Sequence, residues 1–440
     1  MKRFALVALL AALIFGVVSS ASATELKVKG NFDVYGMWSA NLKDHDSDVN
    51  DGDNYFTAQR MRTYFSFVAS ENLKAVLGLE FDADWGVGDV GDWGTDGDGA
   101  VEVKHAYLDF NFPDSAVNVK AGLQYVALPG VFGNPIFDDD AAALVVSAPI
   151  NDMVGVAAGY TRGVDGSTNM NNDILEDGED QDDVDMTFVA VPVTLDGFAA
   201  TPYFAYAWAG ANTDLGDAFG DDVTVWALGA NAELKMFDPL TFAADLMYAK
   251  ADGGDLTTAG WYAALAGSYK FDFMTATLFG TYATGWDGDG DDDESIMPTL
   301  AEGWGISPYV GGVRAFSTTY DSWGTDAVGV GSDGTGLWTV GLVLDNISFV
   351  ENLSHSLTLA YGQGTSDEDA AYYNKNSRMV LTEKDSVWEV YLVNKYMIYE
   401  NLAAINELGY FKASSDLYDD ATGEDLDASY FATVGFQYKF

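Results

Sequence analysis

Apolar and polar positions alternate with a period of two along most of this chain, in segments of about ten to thirteen residues. The last such segment is the clearest. Tyr430, Ala432, Val434, Phe436, Tyr438 and Phe440 fall on one face, and Phe431, Thr433, Gly435, Gln437 and Lys439 on the other. In 58–69, Met61, Phe65 and Phe67 oppose Arg60, Arg62, Tyr64 and Ser66. In 74–85, Ala75, Leu77, Leu79, Phe81 and Trp85 oppose Lys74, Glu80, Asp82 and Asp84. In 105–112, Ala106, Leu108, Phe110 and Phe112 oppose His105, Tyr107, Asp109 and Asn111. Helical periodicity is nearly absent, and beyond Thr24 no apolar run approaches the ~20 residues of a spanning helix. Strands of this kind present an apolar face to lipid, where every backbone N–H and C=O needs a partner within the protein. The pattern therefore predicts an all-β protein, a closed antiparallel transmembrane barrel with a polar lumen.

The connections are of two kinds. Short ones fall at 70–73, 113–115, 149–152, 196–197, 237–239, 271–273, 350–353 and 399–402; Glu-Asn-Leu recurs in three of them, at Glu71, Glu351 and Glu400. Long ones fall at 43–54, 86–100, 127–140, 164–183, 211–222, 251–258, 287–335, 365–383 and 414–428. Nine long loops joined by eight short turns predict eighteen strands, with the short turns on the periplasmic side. That count takes Ala141–Ala148 as a strand and 287–335 as one loop, although Ser307–Phe316 within it could pair locally; sixteen strands is the alternative.

The first residues change the picture of where the chain goes. Lys2 and Arg3, an apolar run from Phe4 to Val18, and the small residues Ala21-Ser22-Ala23 form a secretory signal peptide over 1–23, leaving 24–440 as a single barrel. Cysteine is absent, so neither disulfides nor thiolate metal sites are available. The formal net charge is −47, and the nine long loops hold 46 of the 68 acidic residues but only 4 of the 21 basic ones, so the acidity belongs to the outer face. Such a rim raises the local cation concentration and repels anions within a Debye length of about 8 Å. It also argues against nucleic-acid binding, since it repels phosphate.

Asp287, Asp289 and Asp291 are loose candidates for divalent cations such as calcium. The strict calcium-loop pattern fails there: its sixth position is Asp292 where Gly is needed, and its twelfth is Pro298 where Glu is needed. Solvated acidic loops are the plainer reading, and no resident cofactor is expected. A hydrolase is disfavoured because only His45, His105 and His355 exist and no Gly-x-Ser-x-Gly elbow occurs. The chain is therefore not expected to be an enzyme.

A channel needs a constriction. In 120–140, which holds three glycines, the lumen-facing Lys120 and Gln124 lead into a loop with two prolines and the triplet Asp138-Asp139-Asp140. Here the chain resembles the general, homotrimeric outer-membrane porins, whose third long loop folds into the lumen. The resemblance also covers the leader, the strand–loop alternation and the closing Tyr438-Lys439-Phe440. It implies a passive diffusion channel for small hydrophilic solutes and ions, a homotrimer, and an eyelet with Asp138, Asp139 and Asp140 facing Arg60, Arg62 and Lys120. Cation preference follows from the acidic loops. The alternative for the arginines is pairing with Glu80 or Asp82 on the next strand; for the aspartates it is an exposed turn. Eighteen strands would approach the solute-specific porins for sugars or organic acids, and a structural or calcium-binding role is a further alternative. Tyr64, Tyr107 and Tyr262 are inward by phase, whereas Trp38, Trp85, Trp226, Trp261, Trp338 and Trp388 suit interfacial girdles.

Overall fold

The computed structural model describes residues 24–42, 53–86, 101–164, 183–288, 293–301, 303–316, 330, 336–368, 381–415 and 425–440. The leader, His45, Asp289 and Asp291 lie outside these residues. The strands are β1 Glu25–Ala40, β2 Asp53–Ser70, β3 Leu73–Asp84, β4 Val101–Asn111, β5 Asn118–Ala127, β6 Asp138–Pro149 and β7 Gly155–Val164. They continue with β8 Val184–Ala190, β9 Val193–Leu195, β10 Phe198–Ala209, β11 Val223–Phe237, β12 Leu240–Gly253, β13 Leu256–Lys270 and β14 Thr275–Ala283. β15 Asp293–Ser295, β16 Leu337–Val350, β17 Leu353–Gly364, β18 Ser386–Tyr399, β19 Leu402–Ser414 and β20 Ser429–Lys439 complete the set.

β8 and β9 are halves of one spanning strand, since both pair with β10 on either side of Pro192, which has no N–H to give the ladder. β15 is a short loop segment pairing in parallel with β13. Eighteen spanning strands remain, each antiparallel to its neighbour in the chain. The sheet closes where β1 meets β20, from Asn31↔Lys439 to Ala40↔Tyr430. Closure leaves no unpaired edge, as a bilayer demands.

The alternation read from the sequence is the alternation of the wall. Along β1, Asp33, Tyr35 and Met37 are buried inward while Trp38 is exposed outward; along β19, Glu407 and Phe411 are buried and Leu408 and Tyr410 face out. Near the long-loop end, outward aromatics touch across the strands: Trp38 with Tyr55, Tyr248 with both Trp226 and Trp261, Trp338 with Tyr361, Trp388 with Tyr410. They form the interfacial girdle, where an amphipathic ring is favoured.

Two boundaries differ from the sequence expectation. The segment 251–258 is no long loop: β12 and β13 extend through it to a turn at Gly254-Asp255, with Gly254 at φ 54°. A two-residue hairpin turn needs positive φ, which glycine supplies at no steric cost. Asp138, Asp139 and Asp140, expected in the third long loop, are instead the first residues of β6, paired with Ala127, Val126 and Tyr125.

The inward faces are of two characters. On β1–β5 the wall is charged. Its rungs run Asp33–Arg60–Asp82 and Asn31–Arg62–Glu80 across β1, β2 and β3, and Lys74–Asp109–Lys120 across β3, β4 and β5. On β10–β13 it is small and apolar, with Ala205, Ala207, Ala209, Ala227, Ala249 and Ala264 all buried. An apolar wall facing a wet lumen would be anomalous, and here it is covered.

Candidate functional site

The covering is made by two connections that cross the interior: the third, 128–137 (L3), and the described residues 293–301 and 303–316 of the seventh (L7). L3 reaches across to β10, β12 and β14. Asn134 donates to the Tyr203 hydroxyl at 3.0 Å, and the Val131 N–H donates to the Asp245 carboxylate at 2.6 Å. Asn231 donates to the other oxygen of Asp245 at 2.7 Å, and Phe132 lies against Phe279. Both Asp245 oxygens are thus satisfied where an unpaired buried carboxylate would be costly.

L7 lies beside L3. The Gly305 N–H donates to the Phe132 carbonyl at 2.9 Å, that of Gly303 to Asn134 at 3.2 Å, and that of Asp138 to the Ala301 carbonyl at 2.8 Å. Gly133 makes this approach possible. Its φ is +78°, and a Cβ there would stand 2.0 Å from the Gly303 carbonyl oxygen. Trp304 donates to the Tyr262 hydroxyl at 3.0 Å, so the inward Tyr262 serves the loop rather than the open passage.

The far end of L7 is held by two buried carboxylates. Glu389 on β18 accepts from the Ser307 hydroxyl and from the N–H groups of Tyr309 and Val310, at 3.2 and 3.3 Å. Glu407 on β19 accepts from Arg314 at 2.7 Å, from the Ala315 N–H at 3.0 Å and from the Tyr391 hydroxyl at 2.6 Å. Arg314 also donates to Thr433 on β20 at 2.8 Å, and Phe316 stacks on Tyr35 of β1 at 4.8 Å. Burial, with Glu389 close by, holds the Tyr309 phenol well above its ordinary range, so it stays neutral.

L3 and L7 together form a bridge from β10–β14 to β18–β20 and β1. The charged wall of β1–β5 is the part of the lumen that the bridge leaves polar. There Arg60 grips Asp82 through a two-point contact, Nε to Oδ1 at 2.6 Å and a terminal nitrogen to Oδ2 at 2.7 Å, with Glu80 at 3.3 Å. Arg62 pairs with Glu80. These are the next-strand pairings that were the alternative reading for the arginines. Asp140 pairs with Lys104 and with His105, the latter at 2.9 Å, and Asp138 accepts from Tyr125. Asp139 is exposed and accepts from the Asp140 N–H. The structure therefore does not set the three aspartates in ion pairs with Arg60, Arg62 or Lys120; the ion-pair partner of Asp140, Lys104, comes from β4.

Nearer the short turns, Lys29, Lys120, Lys395 and Lys439 point inward by register; Asp109 stands across from Lys120, and no ion pair is described for the other three. Lys29 lies over the Tyr64 ring at 5.9 Å. Sequence reasoning singled out Lys120 and placed Lys439 on the lumen face, but it did not name Lys29 or Lys395, and it read 287–335 as a long loop without folding it into the lumen. The available signal was the weakly charged run Gly303-Trp304-Gly305-Ile306-Ser307-Pro308-Tyr309-Val310 inside a loop otherwise rich in aspartate. Asp287 accepts from the Ser295 N–H at 2.9 Å, and among the described residues no three potential metal ligands gather.

No family model matches the sequence, and no curated protein matches it. Solved structures match over nearly the whole chain. OccAB4 of Acinetobacter baumannii is 11% identical, with 96% of this chain and 100% of that one covered, at a TM-score of 0.54. OccD3 (OpdP) of Pseudomonas aeruginosa is 12% identical, with 96% and 93% covered and a TM-score of 0.52. The outer membrane protein OprD of Pseudomonas aeruginosa is 13% identical, with 96% of each chain covered and a TM-score of 0.52. At these identities the likeness is one of fold. By fold, this chain is an eighteen-stranded antiparallel β-barrel of the architecture seen in the outer membrane protein OprD.

Proposed function

We propose that the protein is a passive diffusion channel for small hydrophilic solutes and ions, cation-preferring overall. One observation carries the reading. The L3–L7 bridge covers the apolar side of the interior and leaves polar the side lined by Asp33, Arg60, Arg62, Glu80 and Asp82. Opposed charges on one wall order water and align dipolar solutes at close quarters. Cation preference is supported by the acidic excess of the long loops and by the carboxylates that outnumber the arginines on that wall. In a planar bilayer the folded protein should give ohmic conductance steps and a reversal potential of the cation-selective sign. Absence of conductance from folded protein would sink the channel; an anion-selective sign would sink the preference alone.

The inward lysines favour a second reading, a channel specific for small organic acids. A carboxylate that has passed the arginine pair would next meet Lys29, Lys120, Lys395 and Lys439. Bilayer currents under organic-acid and sugar gradients separate the two readings. Assembly as a homotrimer belongs to the proposal as well, and rests on the porin resemblance.

A further inference from the structure

The hairpin that carries L3 belongs to the wall only at its base. The β4–β5 ladder ends at Ala106↔Leu123, although β4 continues to Val101 and β5 to Ala127. The β6–β7 ladder starts only at Ala142↔Arg162, which leaves 138–141 without a partner on β7. Between them β5 and β6 stay paired, from Leu123↔Ala142 to Ala127↔Asp138. Residues 124–141 are therefore an arm that has left the sheet on both edges. It turns into the barrel, where Val126, Leu128 and Ile136 are buried in one cluster with Met186, Tyr203 and Met247.

A two-stranded hairpin has little stability of its own, so its direction depends on what holds it. The tip is held by Asp245 and Tyr203, and the β6 edge meets L7 where the Asp138 N–H donates to Ala301. On the β4 side, among the described residues, a single side chain of the arm bonds across the gap. Asp140 accepts from His105 Nε2 at 2.9 Å through Oδ1 and pairs with Lys104 through Oδ2. Lys104 and His105 are consecutive, and in a regular strand they would point to opposite faces. Here β4 is bulged: His105 stands opposite Gly78 and Val103 opposite Leu79, with Lys104 as the extra residue. A bulge re-aims side chains, and this one brings two donors to one carboxylate. Tyr64 and Tyr107 flank the imidazole, with ring centroids at 5.3 and 6.0 Å. Lys104, His105 and Asp140 are 25%, 14% and 17% exposed, so their contact is screened less than a surface pair would be.

We infer that Lys104 and His105, acting through Asp140, are positioning residues that fix the root of the L3 arm and so set how far L3 stands into the passage. The inference rests on the channel reading for its effect on current, and on the fold alone for the position of the arm.

The chain contains no cysteine, so a single thiol reports on one place. Val126→Cys lies on the arm at 5% exposure, and Ala413→Cys lies on β19 at 1%. In the folded full chain in detergent, a water-soluble methanethiosulfonate reagent should modify both slowly. Asp140→Asn should speed modification of Val126→Cys several-fold and leave Ala413→Cys unchanged. Exchanging the charges, Lys104→Asp with Asp140→Lys, should bring the rate most of the way back, which a general packing defect would not allow. Lys104→Met and His105→Gln, each removing one partner, should give smaller increases; they replace Asp140→Asn if heat-shifted gel mobility shows that it does not fold. In planar bilayers Asp140→Asn should add open-channel noise that the exchange removes. Equal rates in the parent and the single variants, equal acceleration at Val126→Cys and Ala413→Cys, or no recovery on exchange would each overturn the inference. The expected labelling without current from any of these proteins would count against the channel and leave the clamp standing.

Discussion

Arg314, carried on a loop, and Glu407, fixed on β19, form an ion pair of 2.7 Å with both side chains essentially out of contact with solvent. The loop end is thereby fastened to the wall by a charge that has no cheap alternative partner. Removing one member of a buried pair leaves the other uncompensated, at a cost of about 3–5 kcal/mol. Arg314→Met should therefore release the 304–316 segment. The expected outcome is a larger and noisier single-channel conductance in a barrel that still folds, read in planar bilayers. Conductance indistinguishable from the parent would show that this segment does not limit the passage.

Asp245 is the matching anchor for L3, since it accepts from the Val131 N–H and from Asn231. Asp245→Ala leaves two buried donors unmet, each costing roughly 1–3 kcal/mol. The thermal midpoint of the detergent-solubilised barrel should fall, and proteolysis at the Pro129–Pro135 segment should quicken relative to Arg314→Met. Protection equal to the parent would mean that L3 is held chiefly by its backbone contacts with L7.

Arg60 is flanked across the sheet by Asp33 and Asp82. Arg60→Gln removes the positive centre of that rung and leaves its carboxylates. Cation selectivity should rise, seen as a larger reversal potential in a salt gradient, and the increment should shrink as salt is raised because a Debye length falls to about 3 Å at 1 M. An unchanged reversal potential would move the conducting path away from this wall.

Lys29 and Lys120 test the organic-acid reading. Lys29→Gln with Lys120→Gln should weaken block of the current by small dicarboxylates several-fold and leave block by neutral sugars unchanged. Equal loss for both classes would point to a change in pore size, not in charge.

Much of this architecture is legible in the sequence, for physical reasons. A strand between lipid and water must alternate, and 58–69, 74–85 and 105–112 do so without exception of phase; the register confirms Arg60 and Arg62 inward and Met61 and Phe65 outward. The eighteen-strand count followed from the alternation of long and short connections, even though one long connection proved to be the Gly254-Asp255 turn. On β10–β13 the alternation is weak, because residues under the bridge are as apolar as those facing lipid. Ala205 and Phe204, or Ala264 and Leu265, carry no polar mark of side. The bridge itself is a tertiary fact. Nothing local in Arg314 names Glu407 as its partner, and nothing local in Asp140 chooses Lys104 and His105 over Arg60.

The placement of Arg314 has a further consequence for how the molecule is built. Its partners straddle the seam: Thr433 belongs to β20, and the Tyr35 ring that lies 5.8 Å from its guanidinium belongs to β1. The first and last strands of the cylinder are thus read by one side chain from its interior. Until β1 and β20 have met, the receptacle for this latch does not exist. Completion of the cylinder and the final seating of Arg314 are then coupled stages of biogenesis, whereas the anchors on Glu389 and Glu407 need only β18 and β19.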